Sequence, residues 1–417
     1  MQTVRMLAEK THAASQEFLA KGSTRIKNDI LKDVAAGIEK SKNHLLEENA
    51  KDLHNGERDG LSRALLDRLA LDDRRIDGMI KACMDIIGLP DPVGRIYDMN
   101  VRPEGFKVGR MRVPIGVIGI IYEARPNVTI EASTLCLKSG NATILRGGSS
   151  AFFANMALVQ VLKKALNANG IDEYLVSYIE STDRKAVDEM LVLDDLIHLI
   201  IPRGGEGLIR SVTEKSRIPV LKHYKGVCHV YVHKDADLKM ASDIAINAKV
   251  QRPGVCNAME TLLVDEEIAG QFLPGALKLL QQQGVEIRGC EKTRAVYGEG
   301  VKAAADSDWP AEFLDLILAV KVVDGIDQAI AHINTYGSNH TDAIVTKDIQ
   351  AANRFITNVD SSSVLINAST RLADGGVYGL GAEIGISTDR LHARGPMGLE
   401  ELTTYKWIVY GEGHLRE

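Results

Sequence analysis

The sequence has few cysteines, no long apolar run and no excess of positive charge. Its five cysteines are odd in number and widely spaced, and none forms a C-x-x-C pair. This pattern argues against a disulfide framework and against a structural zinc site, so we expect no metal. No uncharged apolar run approaches the roughly 18 residues of a membrane span, so we expect no membrane partner. The first residues mix acidic and basic side chains and lack a signal peptide's apolar core, which favours a cytoplasmic protein.

The charge balance and the length limit the kind of partner and the number of domains. The net charge of -6 offers no basic stripe for a nucleic acid, so small molecules are the expected ligands. Hydrophobic residues make up 45% and charged residues 25%, which is typical of a globular protein. A chain of 417 residues is too long for one ordinary hydrophobic core, which predicts two or three packed units.

Helices and a polar hairpin are predicted for the first part of the chain. The first ninety or so residues have apolar side chains at helical spacing, with a cap at Ser23 and Thr24. Residues 99–113 alternate apolar and polar side chains around a glycine, which predicts a hairpin. It is either an arm for self-association or an ordinary surface hairpin. The aromatic T-T-Y-K-W-I-V-Y near the end predicts a strand that needs a partner.

Two series of alternating strands and helices occupy the rest of the chain. The first opens with P-I-G-V-I-G-I-I-Y at 114–122, an uncharged run typical of a strand buried on both faces. It closes with I-P-V-L-K at 218–222, which is predicted to be a strand. The second begins near residue 230 and ends with S-V-L-I-N. This alternation predicts a doubly wound α/β fold.

Two strand ends have residues suited to a dinucleotide. Gly204, Gly205 and Gly207, in I-P-R-G-G-E-G, follow an apolar strand and open a helix whose N-terminus would favour phosphate. The G-x-G-x-x-G order is absent, so either a dinucleotide contact or a plain glycine turn fits. Arg146, in I-L-R-G-G, either contacts an adenosine ribose or its 2′-phosphate, or is a solvated or ion-paired residue.

Cys256 stands in Q-R-P-G-V-C-N, directly before a predicted strand. A thiolate is the nucleophilic form of cysteine, so a catalytic cysteine needs a setting that lowers its pKa. The turn P-G-V-C-N can direct backbone N–H groups at the sulfur and at an oxyanion. From the chain pattern alone, Cys256 is equally well interpreted as buried filler.

Five segments in order along the chain are similar to those of a known superfamily. They are Y-E-A-R-P-N-V-T, C-L-K-S-G-N-A-T-I-L-R-G-G, I-P-R-G-G, Q-R-P-G-V-C-N and L-H-A-R-G-P-M-G-L-E-E-L-T-T-Y-K-W. Together they resemble the aldehyde dehydrogenase superfamily over essentially the whole length. The resemblance implies an α/β, aldehyde dehydrogenase-like fold. Its expected parts are a Rossmann-type NADP(H)-binding domain over 1–98 and 115–225, an α/β catalytic domain over 226–398, and a small β oligomerisation arm over 99–114 and 399–417.

The resemblance also implies roles for individual residues. Cys256 matches the nucleophile, which forms a thiohemiacetal and a thioester. Asn127 matches the oxyanion donor that acts with the backbone N–H of Cys256; without the resemblance, an asparagine after a proline is interpreted as a helix cap. The cofactor implied is NADPH or NADP+. The residues matched to it are Arg146 on the adenosine side, Gly204, Gly205 and Gly207 near the pyrophosphate, and Glu312 at the nicotinamide ribose.

One departure from the superfamily pattern concerns the reaction. Members that form acids carry E-L-G-G-K some thirty residues before the cysteine, and its glutamate activates water. This sequence has L-K-H-Y-K-G-V there, without an acid. The departure favours a phosphate-exchanging reductase over an acid-forming member. Within the superfamily, the motifs resemble a branch that reduces L-glutamyl 5-phosphate to L-glutamate 5-semialdehyde in proline biosynthesis. Lys222, His223 and Lys225 either attract phosphate or form a solvated surface turn.

Three alternatives to this function remain open at the level of sequence. They are an acid-forming aldehyde dehydrogenase, a thiol acyltransferase or hydrolase without a nicotinamide, and a non-catalytic nucleotide-binding module. The resemblance further implies a homo-oligomer, dimer or tetramer, and glutamate 5-kinase as functional partner.

The substrate's carboxylate and phosphate need cationic partners. Arginine suits both through paired hydrogen bonds. The candidates, any of which could instead be a structural ion pair, are Arg125, Arg252, Arg371 and Arg394.

Overall fold

The computed structural model describes residues 3–416 and divides the chain into two compact units. The first unit contains the chain up to Lys222, the segment Gly379–Gly385 and the end from Met397. The second contains His223–Tyr378 and Ile386–Pro396. Both are α/β, which confirms the predicted fold class. None of the helices within residues 3–416 combines the length and the apolar character needed to cross a membrane.

The helices and strands of the first unit follow the predicted order. Its helices are α1 (Val4–Lys21), α2 (Thr24–Lys40), α3 (Lys42–Arg58), α4 (Arg63–Leu69), α5 (Asp73–Gly88), α6 (Asn127–Lys138), α7 (Phe152–Ala168), α8 (Arg184–Met190) and α9 (Glu206–Lys215). Its strands are β1 (Ile96–Val101), β2 (Lys107–Pro114), β3 (Val117–Tyr122), β4 (Ala142–Gly147), β5 (Val176–Tyr178), β6 (Leu199–Arg203) and β16 (Thr403–Tyr410). The predicted cap is confirmed, since the Ser23 side chain accepts a hydrogen bond from the N–H of Ile26.

A four-stranded parallel sheet in the order β5-β4-β3-β6 forms the centre of the first unit. Starting from β3, the chain adds β4 and β5 on one side of β3 and then adds β6 on its other side. The direction in which strands are added therefore reverses between β3 and β6. Ligands of open α/β sheets bind outside the carboxyl ends of the strands at such a reversal. The carboxyl ends of β3 and β6 therefore mark the place where this unit would hold a dinucleotide.

One predicted strand of the first unit does not form. The segment I-P-V-L-K was expected to be a strand, but it makes only an isolated bridge between Ile200 and Val220. Pro219 lacks an N–H group and can only accept, from the backbone N–H of Ile200. A ladder on this side of β6 therefore stops after one pair.

A separate three-stranded antiparallel sheet, in the order β1-β2-β16, combines the predicted hairpin with the end of the chain. Strand β16 pairs with β2 from Thr403 opposite Pro114 to Tyr410 opposite Lys107. Most of β16 is exposed, and its other edge is unpaired within the described chain.

The second unit is built on a seven-stranded parallel sheet in the order β10-β9-β11-β8-β7-β12-β13. Its larger strands are β7 (Cys228–Val232), β8 (Met259–Asp265), β9 (Glu286–Gly289), β11 (Ile317–Val323), β12 (Thr341–Val345) and β13 (Ser363–Ile366), with the short β10 (Lys302–Ala303) at one edge and the pair β14 (Ile386–Ser387) and β15 (Gly395–Pro396) apart from it. Its helices are α10 (Leu238–Val250), α11 (Glu266–Gln282), α12 (Glu291–Tyr297), α13 (Gly325–Tyr336) and α14 (Ile349–Asn358). Because β8, β7 and β12 are parallel neighbours, the segments that precede them meet at one edge of the sheet.

Candidate active site

Cys256 lies in the segment between α10 and β8, at the amino edge of the seven-stranded sheet. Gly226, which precedes β7, packs against it so closely that a Cβ atom there would come within 1.9 Å of the Cys256 carbonyl oxygen. The backbone N–H of Gly226 donates to the Glu312 carboxylate at 2.8 Å. Glu312 therefore belongs to the same neighbourhood as Cys256. Gly226 was missed in the sequence, because a glycine in a polar turn does not reveal which backbone it contacts.

The five cysteines differ in their capacity for chemistry. Cys83, Cys136 and Cys228 are fully buried, and burial raises the pKa of Cys83 and Cys136 to about 12 and that of Cys228 well above its ordinary value. Buried thiols of this kind are inert. Cys290 is half-buried, but its sulfur accepts from the backbone N–H groups of Thr293 and Val322 as the cap of α12. Cys256 is the remaining, partly exposed cysteine.

Two histidines approach Cys256 within the second unit. His223 and His340 each place a ring nitrogen within 4.8 Å of the Cys256 sulfur and of one another. The neighbouring Lys222 and Lys225 are half-buried like His223, so this turn is not the fully solvated one considered from the sequence. His340 was missed because it is distant in sequence, and only the adjacency of β7, β8 and β12 brings it here. A histidine directly before a buried strand is the signal that could have found it.

Arg371 is the cationic side chain most clearly associated with Cys256. Burial and the charge of Arg252 lower the pKa of Arg371, while the charge of Cys256 raises it. The guanidinium donates to the side-chain oxygens of Asn257 and, at 2.8 Å, of Gln251. Asn257 in turn donates to the Ala373 carbonyl at 2.9 Å. Arg371 is thus anchored to the segment that contains Cys256.

The other two candidate arginines lie in different surroundings. Arg394 donates to Asp360 through Nη1 at 2.8 Å, and Asp360 also pairs with Arg390. This is the structural ion pair considered from the sequence. Arg125, in the first unit, is exposed in the segment that precedes α6.

Asn127 is the first residue of α6, and it does not cap that helix. Its side-chain amide donates to the Glu131 carboxylate at 2.8 Å. Burial raises the pKa of Glu131, and the hydrogen bond from Asn127 opposes that shift. The cap interpretation was therefore wrong, and the amide is held in one orientation by a side chain one turn further along.

The glycine turn lies at the carboxyl ends of β3 and β6. Glu123, which follows β3, accepts from the backbone N–H of Gly205 at 3.2 Å. A Cβ atom on Gly204 would meet the Glu123 carboxyl carbon at 2.6 Å and the Leu208 side chain at 2.7 Å, so both side chains would have to move to admit it. Apart from the adjoining backbone, no described atom lies within 4 Å of a Cβ built on Gly205 or Gly207. Open space beside two glycines at the start of α9 lets a ligand's phosphate approach the helix N-terminus, which fits a dinucleotide.

Arg146 is neither solvated nor ion-paired within the described chain. It is only 9% exposed, and it donates to the carbonyl oxygens of Gly147 at 2.7 Å and Thr182 at 3.0 Å. Its Nε atom is buried without a partner among the described residues, and burial lowers its pKa. A buried guanidinium with one unsatisfied N–H at a strand end fits the edge of a nucleotide site.

Comparisons with known proteins find similarity over most of the chain. Residues 4–292 match the model of the aldehyde dehydrogenase family. The chain is 58% identical over 403 residues to a γ-glutamyl phosphate reductase of Thermodesulfovibrio yellowstonii, covering 97% of this chain and 96% of that one. It is 55% identical over 399 residues to one of Geobacter metallireducens, covering 96% and 95%. A crystal structure of γ-glutamyl phosphate reductase from Thermotoga maritima superposes with a TM-score of 0.97 at 50% identity, covering 99% of this chain and all of that one.

Proposed function

Because the chain belongs to the aldehyde dehydrogenase family, and within it to the γ-glutamyl phosphate reductases, we propose that it reduces L-glutamyl 5-phosphate with NADPH. The products are L-glutamate 5-semialdehyde, NADP+ and phosphate. The observation that carries this proposal is the partial exposure of Cys256 beside the imidazoles of His223 and His340. The other thiols are buried or bound to backbone N–H groups.

Cys256 is the nucleophile in this proposal. Its thiolate attacks the acyl carbon, the C–O bond to phosphate breaks, and the phosphate leaves with the bonding electrons, which forms a thioester. Hydride addition to the thioester carbonyl gives a thiohemiacetal anion. This anion re-forms a carbonyl, now that of the aldehyde, by expelling the Cys256 thiolate, so the step needs no proton. Arg371 interacts electrostatically with Cys256, and its positive charge would stabilise the thiolate both as nucleophile and as leaving group.

NADPH supplies the hydride when bound, as nicotinamide cofactors do in this family. We assign its pyrophosphate to Gly204, Gly205 and Gly207 at the start of α9, its adenosine side to Arg146, and its nicotinamide ribose to Glu312. The open space beside Gly205 and Gly207 and the unpartnered Nε of Arg146 support the first two assignments. Glu312 is assigned by resemblance to the family.

Oxyanion stabilisation is assigned to the amide of Asn127 and the backbone N–H of Cys256. Removing one oxyanion donor typically costs about 10²–10³ in rate. We therefore expect Asn127→Ala to lower kcat by about 10²–10³ with little change in the KM for NADPH. Asn353→Ala, on the exposed side of α14, is the matched control and should retain full activity. Equal kcat values for the two variants would contradict the role of Asn127.

Substrate anions are assigned first to Arg371 and Arg252, which are electrostatically coupled to each other. The charge of Arg252 lowers the pKa of Arg371, so the two guanidinium groups repel each other and would be stabilised by a shared anion. Arg252 is exposed and makes no hydrogen bond or ion pair with the described residues. Arg125 and Arg394 rank below them, Arg394 because Asp360 already neutralises it.

The reverse reaction tests the proposed function directly. Purified protein is given glutamate 5-semialdehyde and NADP+, and NADPH formation is followed by absorbance with and without inorganic phosphate. We expect formation to depend on phosphate, and Cys256→Ala to abolish it. Equal rates without phosphate would instead indicate an acid-forming enzyme, and failure to bind NADPH would indicate an acyltransferase.

The setting of the reaction completes the proposal. We propose a cytoplasmic homo-oligomer that receives its unstable acyl phosphate from glutamate 5-kinase. The oligomerisation arm is assigned to the sheet of β1, β2 and β16. Its support is the exposure of three large side chains on β16, which are Tyr405, Trp407 and Val409 at 45%, 62% and 61%. An exposed aromatic edge strand of this kind is suited to pairing with a second copy.

A further inference from the structure

A cluster of one thiol and two imidazoles at the amino edge of the seven-stranded sheet is suited to a metal ion. His223, Cys256 and His340 each offer one ligand atom, and these atoms all lie within 4.8 Å of one another. Zn–S bonds of about 2.3 Å and Zn–N bonds of about 2.0–2.1 Å place tetrahedral ligands about 3.3–3.6 Å apart. Small side-chain movements, of about 1 Å each, therefore bring the three atoms into coordination distance.

His223 is already oriented in the way that metal-binding histidines are. Its Nδ1 lies 2.9 Å from the backbone carbonyl oxygen of Ile386. A carbonyl can only accept, so Nδ1 carries the hydrogen and Nε2 carries the lone pair. A hydrogen bond from the second ring nitrogen to a backbone carbonyl is the usual support of a metal-ligating histidine.

His340 provides an independent indication of a ligand. The side chain is fully buried, and its Nε2 has no hydrogen-bond partner among the described residues. Its Nδ1 is occupied, lying 2.9 Å from the hydroxyl oxygen of Thr341. A buried unpaired nitrogen is costly, and a bound metal would satisfy it.

We propose that His223, Cys256 and His340 form a reversible Zn²⁺ site with an open fourth position. One thiolate and two imidazoles favour Zn²⁺ over the hard cations Mg²⁺ and Ca²⁺, which prefer oxygen ligands. Arg371 interacts electrostatically with Cys256, and its positive charge repels a dication. The affinity for Zn²⁺ should therefore be lower than that of a structural zinc site. Metal binding would occupy the sulfur, so Zn²⁺ inhibits the enzyme. The inhibition, though not the binding, rests on the proposed function.

Direct metal binding tests the site without reference to activity. The full chain, kept reduced with a phosphine and freed of metal, is titrated with Zn²⁺ against a chromophoric chelator. We expect one Zn²⁺ per chain. Loss of an outer-shell partner alone lowers metal affinity 10–100-fold, so we expect at least about 100-fold weaker binding in Cys256→Ala, His223→Ala and His340→Leu.

Two controls separate the cluster from non-specific binding. Cys290→Ala removes the other partly exposed thiol, and His54→Ala removes an exposed histidine on α3. Both should bind Zn²⁺ like the wild type. With Co²⁺ in place of Zn²⁺, the wild type should show a thiolate-to-metal charge-transfer band that Cys256→Ala lacks.

The outcomes distinguish this site from the proposed function. The site is rejected if the wild type binds Zn²⁺ no more tightly than Cys256→Ala. It is also rejected if both His223→Ala and His340→Leu bind Zn²⁺ as tightly as the wild type. His223 is half-exposed, so that variant remains informative if His340→Leu does not fold. One bound Zn²⁺ in a protein that lacks reductase activity keeps the site and rejects the function. Inhibition by Zn²⁺ that a chelator reverses supports both.

Discussion

At the residue scale, the backbone of Gly226 limits where Cys256 can lie. The two residues belong to segments that precede the neighbouring strands β7 and β8. The Cys256 carbonyl occupies the space that a side chain on Gly226 would need. The Glu312 carboxylate holds the Gly226 N–H from another direction. Backbone contact of this kind positions Cys256 without using any side chain of residue 226.

Substitution of Gly226 tests this contact. A Cβ atom at 1.9 Å from the Cys256 carbonyl oxygen forces the backbone to move, so Gly226→Ala should lower the free energy of unfolding by about 3 kcal/mol. It should also reduce kcat, since Cys256 moves with its backbone. Urea denaturation and steady-state kinetics measure both effects.

Gly270→Ala is the matched control for Gly226→Ala. Apart from the backbone of its own helix, no described atom lies within 4 Å of a Cβ atom built on Gly270, which lies within α11. Alanine is the better helix former by about 1 kcal/mol, so the control should be as stable as the wild type or more so. A Gly226→Ala variant of wild-type stability would contradict the packing argument.

At the element scale, a buried ion pair connects α10 to β8 on either side of the Cys256 segment. Lys249 and Glu260 are both fully buried, with Nζ and Oε2 2.6 Å apart. The second oxygen of Glu260 accepts from the backbone N–H of Leu314 at 3.1 Å. Burial raises the pKa of Glu260 to about 7 and lowers that of Lys249, and each partner's charge opposes the other's shift. The pair therefore depends on both members being present.

Removing one member of this pair should be strongly destabilising. Lys249→Met leaves a buried, unpaired carboxylate, which costs about 3–5 kcal/mol. The double variant Lys249→Met with Glu260→Gln removes both charges and keeps an acceptor for Leu314, so most of that loss should be recovered. Chemical denaturation measures both free energies of unfolding.

An exposed ion pair on the same helix is the control. Lys239 and Asp243 are solvent-exposed, and exposed pairs contribute little. Lys239→Met should therefore change stability by less than about 0.5 kcal/mol. If the double variant is no more stable than Lys249→Met alone, the unpaired Glu260 carboxylate is not the cause of the lost stability.

Acid sensitivity is expected where α13 packs on β11. His332 of α13 lies in ring contact with Trp309 and Tyr336, and its Nδ1 is 3.2 Å from Lys321 Nζ. Burial, then the charges of His229 and Lys321, lower the pKa of His332 from 6.5 to about 3. The unfolded chain thus binds the proton first on acidification, and stability falls as the pH drops from 6.5 towards 3.

The pH slope of stability measures this effect. His332 should contribute about 1.4 kcal/mol per pH unit below pH 6.5, because the unfolded state binds one more proton there. Urea denaturation between pH 7 and pH 5 should show a shallower slope in His332→Phe, which keeps a ring in the packing. His54→Phe, at an exposed position of α3, should keep the wild-type slope. Equal slopes in all three proteins would reject a titrating His332.

At the scale of the whole molecule, the sheet of β1, β2 and β16 leaves aromatic surface uncovered. Tyr405 and Trp407 are in edge contact with each other, and Val409 continues the same face of β16. Alternate residues of a strand face opposite sides, so Thr404 lies on the other face. The aromatic face is where we expect a second copy of the chain to bind.

A charge on the aromatic face should prevent self-association. Trp407→Glu removes the largest exposed apolar side chain of β16 and adds a carboxylate that an interface would bury unpaired. Sedimentation velocity should show an oligomer for the wild type and a monomer for this variant. Thr404→Glu adds the same charge on the opposite face and should remain oligomeric. A monomeric wild type would reject the arm.

The sequence by itself determined the order and type of most elements. The cap at Ser23 and the buried strands β3 and β8 follow from local spacing of apolar and capping residues. The five motifs also identified the family and the reaction, and they indicated Cys256 as the nucleophile to be tested. These properties depend on residues close together in the chain, where spacing alone carries the information.

Tertiary structure decided which distant residues meet. It brought Gly226 and His340 to Cys256, because β7, β8 and β12 are neighbours in the sheet although they are far apart in sequence. It separated Arg371 from Arg394 by giving the latter Asp360 as a partner, and it reduced I-P-V-L-K to a single bridge beside Pro219. Strand pairing and burial are collective properties of the folded chain, so no local pattern could have supplied them.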